Sequence, residues 1–347
     1  MKLLLSVTTC LVMFSAMATV KTTNSNGNWF DPAIWSPFGV PLMEDSVIIN
    51  HDVTVIGNYV DFGANWLIVN SNASIIGDSI FSLHGNLKLY GSMDLKIIAI
   101  GDGDSTLVFG EVYGRKYVPG NPINHNYGAI YSDSLILGDT FNNYGTIEVA
   151  MFVAGGATYV NHMGSSLSVS LDATLGAVTT NEWGAIMDFG TLVTSENMTN
   201  NGDVICDNWT HGQGIVGGTT GRFCINNCFS NVSTIVGTVD ICDATSTFCD
   251  FNMGTIAVTV TYCAMGACSN LAVADNSEES LSIYPNPVSD ELGVTMFSDD
   301  SFQITNLKGE VVLKGKSESN QMINVAFLSP GMYFLSSGMM TVKFVKL

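Results

Sequence analysis

The sequence predicts an all-β protein, in which a parallel β-helix (solenoid) is followed by a small antiparallel β-sandwich. Three observations support this: the composition, a glycine-marked repeat, and a set of short strands and turns at the carboxyl end. Of the 347 residues, 35 are glycine and only 12% are charged. Such a chain is not disordered, because disorder requires low hydrophobicity and high charge. Many short strands joined by tight turns are expected instead.

The repeat lies in the middle of the chain. Each copy has an asparagine, then a glycine, then a short strand of alternating apolar residues, as in NYGAIYSDSL from Asn126. The glycines are spaced 17, 19, 20 and 18 residues apart, at Gly128, Gly145, Gly164, Gly184 and Gly202. This period suits one coil of a parallel β-solenoid, in which each coil buries its inward residues against the next. An ordinary β-sandwich is the alternative if the spacing arises by chance.

The asparagines and glycines of the repeat are predicted to be structural. Asparagine before glycine favours a left-handed backbone at the corner of a coil. Stacked asparagine side chains can also form hydrogen-bonded ladders, as they do in cross-β assemblies. We therefore assign these residues no catalytic role.

The amino end has the pattern of a secretory signal peptide. MKLLLSVTTCLVMFSAMA contains Lys2, then an apolar stretch, then Ala16-Met17-Ala18, which match the three regions of such a peptide. The apolar stretch is shorter than the roughly 20 residues that span a bilayer. We therefore expect residues 1–18 to be removed, with a retained anchor as the alternative, and no transmembrane segment in the mature chain.

The cysteines beyond the signal all lie in one segment. They are Cys206, Cys224, Cys228, Cys242, Cys249, Cys263 and Cys268. In an oxidising compartment they predict disulfide bonds, because cross-linking the unfolded state stabilises a thin, turn-rich segment. Three bridges and one odd thiol are expected, with the pairing open. Zinc is the alternative, but no C-x-x-C pair occurs and the closely spaced cysteines lack a nearby histidine pair.

An aromatic, proline-rich segment precedes the repeat. In WFDPAIWSPFGVP, Trp29 and Trp35 alternate with proline corners, which predicts a compact cap over the end of the sheet stack. The spacing W-x-x-P-x-x-W-x-x-x-x-x-P, followed by D-x-V-x-I, resembles the entry segment of secreted right-handed β-helix proteins. The resemblance implies that the body is a right-handed parallel β-helix.

The carboxyl end has a different pattern. SIYPNPVSDELGV gives a strand and a Pro-Asn-Pro corner, FQITNLKGEVVLKG gives a hairpin, and MTVKFVKL gives a final strand. About seventy residues with such strands predict a small antiparallel sandwich.

These motifs resemble the type A C-terminal sorting domain of the bacterial type IX secretion system. The residues that carry the resemblance are Tyr284, Pro285, Asn286, Pro287, Gly309, Gly331, Tyr333, Lys343 and Lys346. It implies that the outer-membrane secretion machinery recognises the tail and that the cargo is secreted or attached to a surface glycolipid. An adhesive β-module that shares these turns is the alternative.

The sequence contains no catalytic signature. The histidines, which form no metal-binding pair such as H-E-x-x-H, are His51, His84, His125, His162 and His211. Each is expected on a solvated strand or turn. We therefore predict no catalytic, cofactor-binding or metal-binding residue.

A β-helical polysaccharide lyase or glycosidase is the enzyme hypothesis. The main mixed-charge neighbourhood contains Asp102, Asp104 and the GRKY segment. A cleft holding two or more carboxylates near Arg115 and Lys116 would favour an enzyme, whereas flat polar flanks would favour binding. Calcium shared by Asp102 and Asp104 is a further alternative, but the segment lacks the twelve-residue loop with a terminal glutamate, so a solvated turn is expected.

Charge limits the partners. The chain has 31 acidic against 12 basic residues, a net charge of −19. Such a surface repels phosphate backbones, and it repels anionic polysaccharides unless divalent cations intervene, so no nucleic-acid partner is expected.

The predicted order is a signal peptide (1–18), a β-helix with an amino-terminal cap (19–236), a cysteine-rich end of the β-helix (237–269), a linker (270–280) and the sorting domain (281–347). The predicted function is that of an exported, non-catalytic β-solenoid for adhesion, glycan contact or extracellular structure. This inference rests on architecture, which by itself does not establish function.

Overall fold

The structure is a computed structural model that describes residues 18–57, 59–156, 158–243, 249–265, 282–284, 288–295, 301–306, 311–316, 321–329, 331–337 and 340–346. The chain divides into two compact units between Cys268 and Ser269. Among the described residues, no helix has both the length and the apolar character that crossing a bilayer requires.

The first unit is a parallel β-solenoid of about 11 turns, which confirms the predicted fold. Its strands are Val20–Thr23, Gly27–Asn28, Trp35–Ser36, Ser46–Ile49, Val53–Thr54, Val60–Val69, Ser74–Leu89, Ser92–Val108, Glu111–Pro119, Ile123–Asn126, Ala129–Leu137, Phe141–Asn143, Thr146–Ala154, Thr158–Asn161, Ser166–Leu175, Val178–Asn181, Ile186–Thr194, Met198–Asn200, Asp203–His211, Ile215–Gly217, Arg222–Asn231, Thr234–Ile235, Asp240–Asp243, Phe251–Asn252, Thr255–Ile256 and Thr261–Tyr262.

A regular coil has one long strand and one short strand. In Ala129–Leu137, the long strand bends at Asp133, so that its two halves belong to two faces of the solenoid, and Phe141–Asn143 supplies the third face. Inward residues stack in register from coil to coil, as do Ile130 and Ile147. This stacking forms one continuous core, because each coil covers the apolar side chains of its neighbour.

The asparagines of the repeat form the predicted ladder. Each donates from Nδ2 to Oδ1 of the next, over 2.8, 2.8, 3.0 and 2.9 Å, in the order Asn126, Asn143, Asn161, Asn181 and Asn200. All five side chains are fully buried. Buried amides stay hydrogen-bonded only if the coils keep this register, so the ladder fixes the alignment of the stack.

The repeat glycines lie along one edge, between the short strand of one face and the long strand that follows. The predicted left-handed backbone is confirmed at Gly164 (φ 80°) and Gly184 (φ 73°). The prediction is wrong at Gly128, Gly145 and Gly202. At Gly128, a Cβ atom would lie 2.0 Å from the carbonyl oxygen of Gly110 on the preceding coil. Glycine is required there because successive backbones approach closely, not because of the φ angle.

The amino-terminal cap is built around two buried tryptophans. Trp35 Nε1 donates to the Trp29 carbonyl oxygen at 2.9 Å, and the two rings meet edge to face with centroids 5.2 Å apart. Trp29 also packs against Phe62 and Phe81 of the following coils. A short 3₁₀ helix, Pro32–Ile34, lies between the two tryptophans.

The cysteine-rich segment adds coils to the stack. The sequence period is lost beyond residue 236, yet Phe223 pairs with Ile241, and Ile241 pairs with Tyr262, all in parallel register. The two described disulfide bonds are Cys228–Cys249 and Cys242–Cys263, each spanning 21 residues. The prediction of disulfide bonds is confirmed, and each of these bridges ties one coil to the next.

The remaining cysteines differ in their state. Cys224 is also disulfide-bonded, whereas Cys206 is a free thiol buried in the core. Burial raises the pKa of the Cys206 thiol, which keeps it protonated. Cys268 lies outside the described residues.

The described residues of the second unit form two small antiparallel sheets. Their strands are Ser282–Tyr284, Glu291–Thr295 and Gln321–Asn324 in one, and Val311–Lys316, Ser301–Asn306, Gly331–Ser337 and Met340–Lys346 in the other. Buried residues such as Val294, Ile304 and Phe344 form one core.

Candidate functional sites

Five rings stack along the glycine edge of the solenoid and form what we call the aromatic ladder. Its members are Tyr90, Phe109, Tyr127, Tyr144 and His162. Successive centroids are 4.9, 5.0, 4.8 and 3.9 Å apart, and successive planes differ by 10° or less. The first three spacings are close to that of paired strands and the last is shorter, so each ring covers the face of the next and the ladder stabilises the stack.

The aromatic ladder was not predicted from the sequence, although a signal for it is present there. The first four rings each directly precede a corner glycine, as in Tyr90-Gly91 and Phe109-Gly110. Once these corners align along one edge, residues that precede them must also align. An aromatic residue repeated at that position therefore predicts stacked rings.

An open groove of about 500 Å³, which we call the corner groove, lies at the start of the aromatic ladder. Tyr90 and Phe109 line it together with polar groups from neighbouring coils, including Asp52, Asn72 and Glu111. Tyr90 stacks on Phe109, and within the described chain no ring stacks on its opposite face. The corner groove thus combines the end of a rigid aromatic stack with hydrogen-bonding groups.

The corner groove is acidic. Asp52 and Glu111 are its charged lining residues, and no lysine, arginine or histidine lines it. Asp52 accepts a hydrogen bond from Ser74 at 2.7 Å and Glu111 accepts one from Tyr113 at 2.9 Å, so both carboxylates are oriented. An anionic ligand would be repelled, whereas a neutral or amino-bearing ligand fits this charge.

A second concavity, which we call the mixed-charge cleft, lies where the long strands bend between two faces. It measures about 630 Å³, and its charged lining residues are Asp78, Asp94, Lys96, Arg115 and Asp133. A cleft with several carboxylates near Arg115 is the feature that the enzyme hypothesis requires. Lys116 is not among its lining residues, and neither is Asp102 or Asp104.

The charged side chains of the mixed-charge cleft are not held in place. Among the described residues, none of the five takes part in a side-chain hydrogen bond or an ion pair within 4.0 Å. Lys96 and Arg115 lie on adjacent coils at matching positions, because Leu95 pairs with Gly114 and Ile97 with Lys116. The mixed-charge cleft therefore brings Lys96 and Arg115 side by side on neighbouring coils.

His84 bridges two carboxylates on the outer surface of the solenoid. Its Nδ1 lies 2.6 Å from Asp102 and its Nε2 lies 2.8 Å from Asp61. The hydrogen bond to Asp102 raises the pKa of His84, and Asp61 adds to this effect. Ser82 Oγ is 3.4 Å from Nε2, but an imidazolium held between two carboxylates does not act as a base toward a serine.

His211 corrects the expectation that every histidine is solvated. It is fully buried, with Nδ1 2.9 Å from Thr194 Oγ1 and Nε2 3.2 Å from the Thr234 carbonyl oxygen. Burial lowers the pKa of His211, which favours the neutral ring. His51 contacts Thr23 Oγ1 at 3.1 Å.

Two histidines stack with the tyrosines of the ladder. His125 lies beside it and stacks with Tyr127 and Tyr144, and His162 is its last ring. In the part of the chain that the structure describes, no group of three or more histidine, cysteine, aspartate or glutamate side chains is arranged to hold a metal ion. Of the two carboxylates considered for calcium, Asp102 pairs with His84.

The tail residues singled out in the sequence lie partly within the second unit. Tyr333 is buried; its hydroxyl donates to the Ser329 carbonyl oxygen at 2.9 Å, and its ring stacks on Phe344. Gly331 begins the strand that pairs with the final strand, which carries the exposed Lys343 and the buried Lys346. Tyr284 ends the strand Ser282–Tyr284, whereas Pro285, Asn286, Pro287 and Gly309 lie outside the described residues.

Residues 282–346 match the family model described as the secretion system C-terminal sorting domain. This segment is a type IX C-terminal sorting domain. No curated protein and no solved structure matches the chain.

The sorting domain fixes the export route of the protein. A chain that carries it is handled by the type IX machinery, and is secreted or attached at the cell surface. The solenoid is the cargo that this sorting domain delivers. Its grooves and faces are therefore the candidate sites for the activity of the protein.

Proposed function

We propose that the solenoid binds a neutral or amino-bearing polysaccharide outside the cell, with the corner groove as its contact site. The observation that supports this most directly is the position of Tyr90, whose ring ends the aromatic ladder inside a groove lined by hydrogen-bonding groups. The apolar C–H face of a sugar ring packs well on an aromatic face, while the hydroxyls of the sugar need polar partners around it.

Charge narrows the ligand class. The corner groove contains two carboxylates and no cation, and the whole chain has a net charge of −19. A uronate-rich or sulfated polysaccharide would meet repulsion both on approach and in the groove. A neutral glucan, xylan or mannan would not, and an amino sugar would gain an ion pair.

Affinity electrophoresis of the secreted protein in gels containing soluble neutral polysaccharides tests the proposal. We expect Tyr90→Ala to weaken binding, measured as retardation, by about fivefold, because losing an aromatic contact costs about 1 kcal/mol. Tyr90→Phe should retain binding, since it keeps the ring. Tyr262→Ala, which removes an exposed tyrosine on the last coil, is the matched control.

Two outcomes would contradict the proposal. One is that Tyr90→Ala migrates as the unmodified protein does in every gel that retards the latter. The other is that only anionic polysaccharides retard the protein, because the charge of the corner groove excludes them.

Polysaccharide cleavage at the mixed-charge cleft is the second candidate function. Three carboxylates and two cations in one cleft favour it, whereas the absence of supporting contacts argues against it. New reducing ends released from soluble polysaccharides would reveal cleavage. Activity that is lost in Arg115→Gln and Asp133→Asn but kept in Lys116→Gln would assign it to the cleft, and no release from any polysaccharide would refute it.

A further inference from the structure

Asp45 lies in the cap and accepts hydrogen bonds from the start of the first strand. Thr19 donates to its Oδ1 from the backbone nitrogen at 2.9 Å and from Oγ1 at 2.8 Å. The Leu42 nitrogen donates to Oδ2 at 2.9 Å. The side chain is almost fully buried, with the residue 4% exposed, so this carboxylate is a costly group that needs strong partners.

The same nitrogen is where the predicted signal peptide ends. Cleavage after Ala18 hydrolyses the Ala18–Thr19 peptide bond: one water is consumed, a carboxylate remains on Ala18, and an ammonium group forms on Thr19. The reaction is that of a signal peptidase in the export pathway, not of this protein. Ala18 and Thr19 are both exposed, so a peptidase can reach the bond between them.

We propose that Asp45 is the binding site for the α-ammonium group that cleavage creates at Thr19, so that removal of the signal peptide completes the amino-terminal cap. Before cleavage, Thr19 offers a neutral amide with one proton. After cleavage it offers a full positive charge at the same position. The hydrogen bond to the ionised Asp45 then has a charge on both partners, so the Coulomb attraction of an ion pair is added to a bond that previously had a charge only on the acceptor.

The other charged groups near Asp45 do not take the place of the ammonium group. Lys21, on the first strand, acts on Asp45 through its charge, but its Nζ donates to the carbonyl oxygens of Pro37 and Phe38 at 3.0 and 3.3 Å. Glu44, the preceding residue, is exposed and negative. Burial raises the pKa of Asp45, but the hydrogen bonds from Leu42 and Thr19 outweigh it, so the carboxyl is ionised and ready for a cation.

The bond would tie the first strand to the stack. The Ser46 nitrogen donates to the Thr19 carbonyl oxygen at 2.8 Å, and Val20–Thr23 then pairs in parallel with Ser46–Ile49. It also pairs antiparallel with Trp35–Ser36, next to the buried tryptophans. Thr19 therefore sits where the open end of the solenoid is closed.

The first experiment is to identify the amino terminus of the secreted protein by mass spectrometry and to measure the pKa of its α-amino group by NMR. We expect Thr19 as the first residue, with an α-amino pKa at least one unit above the ordinary value of about 8. Asp45→Asn should return it to the ordinary value. A mature chain that begins elsewhere, or an ordinary pKa in the unmodified protein, would overturn the proposal.

The second experiment compares the free Thr19 amine with the same chain acetylated at that amine. If folding raises the pKa of the α-amino group, the resulting stability is complete below the pKa of that group in the unfolded chain. It is lost as the pH rises through the pKa of the group in the folded protein. At pH 6 the free amine should therefore raise Tm by about 3 °C, and at pH 10.5 the difference should disappear. Equal Tm values at pH 6 would overturn the proposal even if Asp45→Asn fails to fold.

Discussion

The Nδ2 atom of Asn143 donates to Oδ1 of Asn161 over 2.8 Å, with both side chains fully buried. The two residues lie 18 positions apart in the sequence and on adjacent coils of the solenoid. Asn161 in turn donates to Asn181. The bond is thus one step of a chain in which Asn143, Asn161 and Asn181 each accept from one neighbour and donate to the next, so the loss of one of them leaves its neighbours unsatisfied.

Asn161→Ala is expected to lower the free energy of unfolding by about 3 kcal/mol, because it leaves buried polar groups of both neighbours without a partner. Urea unfolding followed by circular dichroism would measure the loss. Asn142→Ala, on the preceding coil, is the control: Asn142 is partly exposed and bonds His162, so its loss should cost less than about 1 kcal/mol. Equal losses in the two variants would show that the ladder does not stabilise the stack.

Gly128→Ala is expected to destabilise the solenoid by about 3 kcal/mol, because the new Cβ would lie 2.0 Å from the Gly110 carbonyl oxygen. Gly138→Ala provides the matched control, since no heavy atom lies within 4 Å of a Cβ built there. It should be neutral or slightly stabilising, because alanine restricts the unfolded chain. Thermal unfolding of the two variants would decide whether close approach explains the corner glycines, and similar Tm values would contradict this.

His84 and His125 are expected to titrate in opposite directions from the ordinary value of about 6.5. The hydrogen bond to Asp102, with the charge of Asp61, raises the pKa of His84, whereas burial lowers that of His125, with His162 adding to the effect. NMR titration of the two rings would measure both. A pKa of His84 equal to or below that of His125 would contradict the geometry of the carboxylate bridge.

The raised pKa of His84 has a consequence for stability. The contribution of the bridge to the free energy of unfolding is fully present below the pKa that His84 has in the unfolded chain. It is lost as the pH rises through the pKa that His84 has in the folded protein. Because all three side chains are exposed, we expect no more than about 1 kcal/mol. His84→Gln should therefore lower stability at pH 5 and have little effect at pH 9, as measured by urea unfolding at both values.

The disulfide bonds are expected to hold the last coils on the stack. Removing Cys228–Cys249 by replacing both residues with serine should cost about 3 kcal/mol, the value typical of a closed loop of this length. Peptide mapping of the alkylated protein would first check that Cys228 joins Cys249 and that Cys242 joins Cys263. A different pairing, or an unchanged Tm in the double variant, would show that these bridges do not secure the carboxyl-terminal coils.

Deletion of residues 281–347 is expected to stop export at the cell envelope, because the type IX machinery handles cargo through its sorting domain. Immunoblots of medium, cell surface and periplasm would locate the truncated chain. Circular dichroism of the purified truncated chain would show whether the solenoid still folds. Normal levels in the medium or on the surface would contradict the role of the tail.

The repeat shows which features of the solenoid can be predicted from the sequence and which cannot. Asparagine, glycine and alternating apolar residues recur every 17 to 20 residues in the sequence. This near-regular pattern predicts coils, an inward face and an asparagine ladder. The same reasoning failed at Gly128, because it attributed the glycine to a left-handed backbone. Contact with Gly110 on the preceding coil is a property of the stacked chain, and no local pattern reveals it.

The sequence by itself determined the β-solenoid, the disulfide-bonded end and the export route, because each is encoded by residues that are local or regularly spaced. Only the tertiary structure determined which residues line the corner groove and the mixed-charge cleft. Asp52 and Glu111 share the corner groove although 59 positions separate them, and Asp78 and Asp133 share the mixed-charge cleft. Stacking brings residues from several coils to one edge, and which of them meet depends on small changes in coil length that only the folded register specifies.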